Sequence, residues 1–106
     1  MRFGSKYRNK KVDFNGYTFD SQAEARRYKE LVILQGISKI EKLTVHPTYD
    51  LTVMGVHICK YEADFSYHDE TGFVVEDVKG VRTSQYRLKR KLMKAIYGID
   101  IKEVEA

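Results

Sequence analysis

The stretch Tyr61-Glu62-Ala63-Asp64-Phe65-Ser66-Tyr67-His68-Asp69-Glu70-Thr71-Gly72-Phe73-Val74-Val75-Glu76-Asp77-Val78-Lys79-Gly80 decides the fold. Turn-forming residues at 69–72 divide two segments rich in aromatic and β-branched side chains, the composition of an antiparallel hairpin. Strands near Val56 to His68 and Phe73 to Lys79 are expected. Side chains on a strand alternate, so Asp77 and Lys79 share a face, while Glu76 points to the other. A turn centred on Glu70-Thr71 places Asp64 opposite Asp77, with Cβ atoms roughly 5 Å apart. Facing like charges destabilise a hairpin unless something offsets them. A divalent cation held by both carboxylates is the simplest offset, and Mg²⁺ takes one or two carboxylates with waters and phosphate oxygens. Lys79, one pleat along, can then orient an attacking water or neutralise charge developing on a phosphate. The competing reading is a pair of solvated acids; Phe73 and Val75, on the face of Asp77, argue against full exposure there.

Outward from this hairpin the chain alternates element types. Val12 to Phe19 reads as a hairpin turning at Asn15-Gly16, a strong short hairpin signal. Ser21 begins a helix with Glu24 three residues on, a capping box, and Gly36 supplies its stop. Glu24, Tyr28, Leu31 and Gln35 fall on one helical stripe. Glu24 therefore either turns inward to join the acidic site or serves only the helix cap. Residues 39 to 53 alternate loosely, and Pro47 marks an edge or bulge. Thr83 can cap a second helix running to about Tyr97 and closed by Gly98, with Leu88, Leu92 and Ile96 as its apolar stripe. Ile99 to Val104 is expected as a last short strand. The order predicts one α/β (α+β) domain over 12–106, a mixed central sheet flanked by helices, preceded by a basic arm at 1–11.

Charge is segregated. The formal net charge is +4, and Arg2, Lys6, Arg8, Lys10 and Lys11 crowd the first eleven residues without an acid. Between Val81 and Ile99 the cations are again without an acid, and Arg87, Arg90, Lys91 and Lys94 lie on one helical face. An ordinary solvated face mixes signs; this one suits a polyanion, and nucleic acid is the commonest. Cys59 is the single cysteine, which excludes an intramolecular disulfide and a cysteine-based zinc site and points to a reducing, cytoplasmic compartment. No apolar run approaches the roughly 20 residues of a membrane span, and no signal peptide is read. His46, His57 and His68 share no ligand spacing and are expected to be structural or surface residues.

Asp64, followed after twelve residues by Asp77-Val78-Lys79 and preceded by an acid on an earlier helix, resembles the PD-(D/E)XK nuclease superfamily. Small phage-encoded endonucleases and resolvases are the members it looks most like. The resemblance spans roughly Phe14 to Val104, with Ala63 where the motif has proline. It implies a restriction-endonuclease-like core and Mg²⁺ or Mn²⁺ held by Asp64, Asp77, the Val78 carbonyl and Glu24. It also implies a catalytic role for Lys79. The expected function is metal-dependent hydrolysis of DNA phosphodiester bonds, with Arg87, Arg90, Lys91 and Lys94 on the backbone and branched or junction DNA as one substrate. A pairing of two copies suits so small a chain. A DNA-binding adaptor lacking activity and an RNA-directed nuclease are the alternatives.

Overall fold

The computed structural model describes residues 10–106. The basic arm, except for the exposed Lys10 and Lys11, lies outside the described residues. Strands β1 (Val12–Phe14) and β2 (Tyr17–Phe19) pair antiparallel around Asn15-Gly16. The φ angles there, 54° and 82°, are the left-handed values that a type I′ turn requires. Ser21 caps α1 (Gln22–Gly36), its hydroxyl accepting from the Glu24 backbone N–H at 3.1 Å. Gly36 ends the helix without taking the left-handed position. Ser38 takes it (φ 62°), and the N–H groups of Ser38 and Lys39 return to the carbonyls of Gln35 and Leu34 as in a Schellman motif.

Five strands follow: β3 (Glu41–Val45), β4 (Thr48–Val53), β5 (Val56–Glu62), β6 (Phe65–Asp69) and β7 (Gly72–Lys79). Helix α2 (Ser84–Tyr97) and β8 (Lys102–Glu105) complete the chain. The main sheet runs β3-β6-β7-β8. Strands β6 and β7 pair antiparallel with Phe65 opposite Glu76 and Asp69 opposite Gly72, the register set by the Glu70-Thr71 turn. Strand β8 lies parallel to β7, a pairing that needs a crossover, which α2 supplies. The fold is thus α+β with a mixed sheet and two helices. Among the described residues no helix is long and apolar enough to cross a membrane.

The run from Val56 to His68 is not one strand. Its first half, β5, pairs with β4 in a separate hairpin, while β6 joins the main sheet, and the chain changes sheets at Ala63-Asp64. The same change occurs alongside, at His46-Pro47 between β3 and β4. Two backbone bonds tie the crossing points: His46 N–H donates to the Asp64 carbonyl and Ala63 N–H to that of Pro47, both at 2.9 Å. Proline has no N–H to offer a ladder, so it fits where pairing is interrupted. His46 adopts a φ of 56° at this seam.

Apolar side chains pack on both faces of the sheet. Phe65 and Tyr67 of β6 meet Phe19, Tyr28 and Leu31 on the α1 side. Val75 of β7 meets Leu51, Tyr61, Tyr86 and Met93 on the α2 side. Each fully buried Leu, Val or Phe contributes roughly 1.5–3 kcal/mol. Alternation along β7 therefore sends Glu76 toward α1 and Asp77 toward α2. The inward stripe of α2 departs from expectation. Tyr86 and Met93 are its buried residues, Leu92 and Ile96 are half-buried, and Leu88 is exposed. Cys59 is half-buried against the α2-side core.

Candidate metal centre

The seam between the sheets frees backbone groups, and buried side chains take them up. The β6–β7 ladder ends at Phe65 opposite Glu76, so the next N–H groups need other acceptors. Asp77 Oδ1 accepts from the Asp64 N–H at 2.9 Å, and Asp64 Oδ2 accepts from the Val78 N–H at 2.7 Å. Position 64 does face position 77, but the carboxylates bind one another's strand instead of standing side by side. The second oxygen of Asp77 accepts from the Tyr61 hydroxyl and lies 3.7 Å from Lys79 Nζ. That ammonium also sits 4.0 Å from the centroid of the Tyr86 ring.

Glu24 turns inward and serves the cap at once. Its Oε1 accepts from the Asp20 N–H at 2.8 Å, while Oε2 lies 3.0 Å from His46 Nε2. Ligand atoms of Glu24, His46 and Asp64 all lie within 4.8 Å of one another. Asp77 stands outside that group, its oxygens engaged by Asp64, Tyr61 and Lys79. The expected ligand set of Glu24, Asp64, Asp77 and Val78 is thereby redrawn: Glu24 and Asp64 converge, His46 joins them, and Val78 contributes its N–H to Asp64. His46, expected from the sequence to be a structural or surface residue, lies in this group. Its position follows from the β3–β6 register, where Val45 lies opposite Phe65 and so places His46 beside Asp64.

Two carboxyl groups here hold protons unusually well. Burial, then the nearby Glu24 charge, raises Asp64 above the ordinary carboxylate range, against the pull of the Val78 N–H and Lys79. Burial and the Asp64 charge push Asp77 up to about 6, with Tyr61 and Lys79 opposing. Burial likewise raises the Tyr61 hydroxyl, so it remains a donor to Asp77.

Residues 4–104 match a family described as a protein of unknown function, DUF1064. The chain belongs to the DUF1064 family. No curated protein and no solved structure matches it. The site of this DUF1064 chain has a testable pH signature. Unfolded carboxyls lose their protons near pH 4, whereas folded Asp64 and Asp77 keep theirs to higher pH. Between those values the native state binds more protons, so metal-free stability falls as pH rises to about 6 and above. A divalent cation held at the Asp64 carboxylate would have to displace its proton at pH 5 and far less of it at pH 8. The rise in Tm produced by Mn²⁺ is therefore expected to be small at pH 5 and to grow toward pH 8. Thermal unfolding with and without Mn²⁺ across that range checks it; a shift largest at pH 5 would exclude the acids as ligands.

The basic face of α2 is partly neutralised in the DUF1064 fold. Arg90 binds Glu103 at 2.9 Å and Lys94 binds Asp100 at 2.8 Å. Glu103 also accepts from Arg82 and the Tyr86 hydroxyl, and these donors hold its carboxyl down at about 2. The helix alone has no acids, but β8 and the segment before it bring them. Arg87 and Lys91 are exposed and form no ion pair among the described residues.

Proposed function

We propose that this DUF1064 chain is a metal-dependent endonuclease that hydrolyses DNA phosphodiester bonds. The observation that carries the reading is the convergence of Glu24, His46 and Asp64 within 4.8 Å, beside the Asp77–Lys79 pair. The donor set fits a divalent cation: carboxylates suit Mg²⁺ and Mn²⁺, and the imidazole favours Mn²⁺ over Mg²⁺. Bound there, such an ion supplies a water of lowered pKa and positive charge toward phosphate oxygens. Asp77 fixes the Asp64 backbone and holds Lys79 in place. Lys79 offers an ammonium to charge developing on the phosphate. Glu24, anchored to the start of α1, holds the His46 imidazole at the cluster. Resemblance of the Asp64…Asp77-Val78-Lys79 pattern to PD-(D/E)XK nucleases supports the same chemistry, and junction DNA cut by two paired copies is one form it can take. Arg87 and Lys91 remain available to the polyanion.

The test is cleavage of labelled duplex, single-stranded and four-way-junction DNA, with RNA alongside, in Mn²⁺, Mg²⁺ or EDTA. Wild type is expected to cut in Mn²⁺ and not in EDTA, and Lys79→Ala to lose about 10²–10³-fold in rate, the scale of one transition-state contact. Cutting of RNA alone would redirect the substrate. Binding without cutting in every metal would replace the enzyme by a nuclease-fold adaptor.

A further inference from the structure

Beside Lys79 lies a cavity of about 250 Å³ whose wall includes Tyr61, Thr83, Gln85, Tyr86 and Lys89, with Glu62 as its one acid. Through Tyr61 and Lys79 it adjoins Asp77. Lys89 differs from the other cations of α2. Arg87, Arg90, Lys91 and Lys94 are exposed, whereas Lys89 is half-buried. It lies three residues after Tyr86 and four before Met93, on the stripe that these two bury. Lys89 lines the cavity, and it forms no ion pair among the described residues. An anionic oxygen in the cavity would give this ammonium a counter-charge.

We infer that this cavity receives the backbone phosphate of the nucleic-acid strand adjacent to the one cut, with Lys89 as its cation and the Gln85 amide as a donor. The inference rests on the nuclease reading and names where its substrate strand runs: from the Glu24–His46–Asp64 cluster past Lys79 to the start of α2. Charge favours it, since Lys79 and Lys89 outnumber Glu62 there. The diester oxygens of a strand offer the acceptors that an ammonium and an amide together take. Lys89 thus joins Arg87 and Lys91 as a contact of the helix with the strand, while Arg90 and Lys94 already hold acids of the protein.

Methylphosphonate scanning tests this. Oligonucleotides in which one phosphate at a time is made neutral are bound to wild type, Lys89→Ala and Lys89→Arg in Ca²⁺, and cleavage is followed in Mn²⁺. Wild type is expected to lose about tenfold in affinity at the phosphate next to the cut, as for loss of one charge-assisted contact. Lys89→Ala should start about tenfold weaker, lose nothing further at that position, and show a salt slope shallower by about 0.9. Lys89→Arg should restore both the affinity and the positional sensitivity, which a residue that only packs against the helix would not do. If wild type binds and cuts but every methylphosphonate weakens Lys89→Ala as much as wild type, the cavity assignment is overturned and the nuclease reading stands. If wild type binds no DNA and cuts none, both fall.

Discussion

Asp64→Asn is expected to lose cleavage by about 10²–10⁴-fold, the equivalent of several kcal/mol of charge stabilisation at the reacting phosphate. The same variant should be more thermostable than wild type in metal-free buffer at pH 7.5. It removes a desolvated charge facing Glu24, while the amide oxygen can still accept from the Val78 N–H. Above about pH 7 the Mn²⁺-dependent rise in Tm should shrink to near zero in this variant. The combination matters, because a protein that merely unfolds would lose activity and stability together. Cleavage at the wild-type rate by Asp64→Asn would remove the residue from the site and the proposal with it.

Arg27→Ala is expected to destabilise the fold by about 3–5 kcal/mol, the usual cost of stranding one member of a buried ion pair. The Arg27 guanidinium grips Glu76 with two bonds of 2.7 and 3.0 Å, and the Tyr67 hydroxyl donates to the same carboxylate at 2.6 Å. Glu76 is 0% exposed, so losing Arg27 leaves its charge with one donor and no water. Against a typical total of 5–15 kcal/mol, such a loss is large. Arg27→Met combined with Glu76→Leu should recover most of it, since a well-packed apolar pair replaces a buried salt bridge at little cost. Urea unfolding followed by circular dichroism measures both; a loss below about 1 kcal/mol for Arg27→Ala would mean that water reaches Glu76 after all. The pair also joins the two halves of the site. Arg27 is three residues from Glu24 on α1, and Glu76 neighbours Asp77 on β7.

What the sequence makes legible here is local. The Asn15-Gly16 turn, the Ser21 cap and the Glu70-Thr71 register are each decided by a few adjacent residues, and each appears in the structure. From that register came the expectation that position 64 faces position 77, and from strand alternation the separation of Glu76 and Asp77 onto opposite faces. The strand break at Ala63-Asp64 is not local. Val56 to His68 alternates like one strand, and only the partners of its two halves, β4 and β3, divide it. His46 was hidden for the same reason, since its place beside Asp64 depends on a pairing between strands nearly twenty residues apart in sequence. The α2 face shows the converse. Its cations read as free because Asp100 and Glu103 lie beyond the helix, and its apolar stripe was set one phase away because Tyr86 anchors it through a hydroxyl bond to Glu103.

The backbone at His46 carries a consequence for how this protein can change. With φ at 56°, that residue sits where a side chain with a Cβ loses roughly 1–2 kcal/mol and glycine loses little. The same position supplies the only ring nitrogen of the Glu24–His46–Asp64 cluster. Glycine would relieve that backbone but would also remove the imidazole that lies 3.0 Å from the buried Glu24 carboxylate and against the Phe19 ring. A lineage or library screened purely for heat resistance weighs the relieved backbone against that lost contact, and under the proposed function a glycine there gives up reactivity for whatever durability it gains, at a single codon.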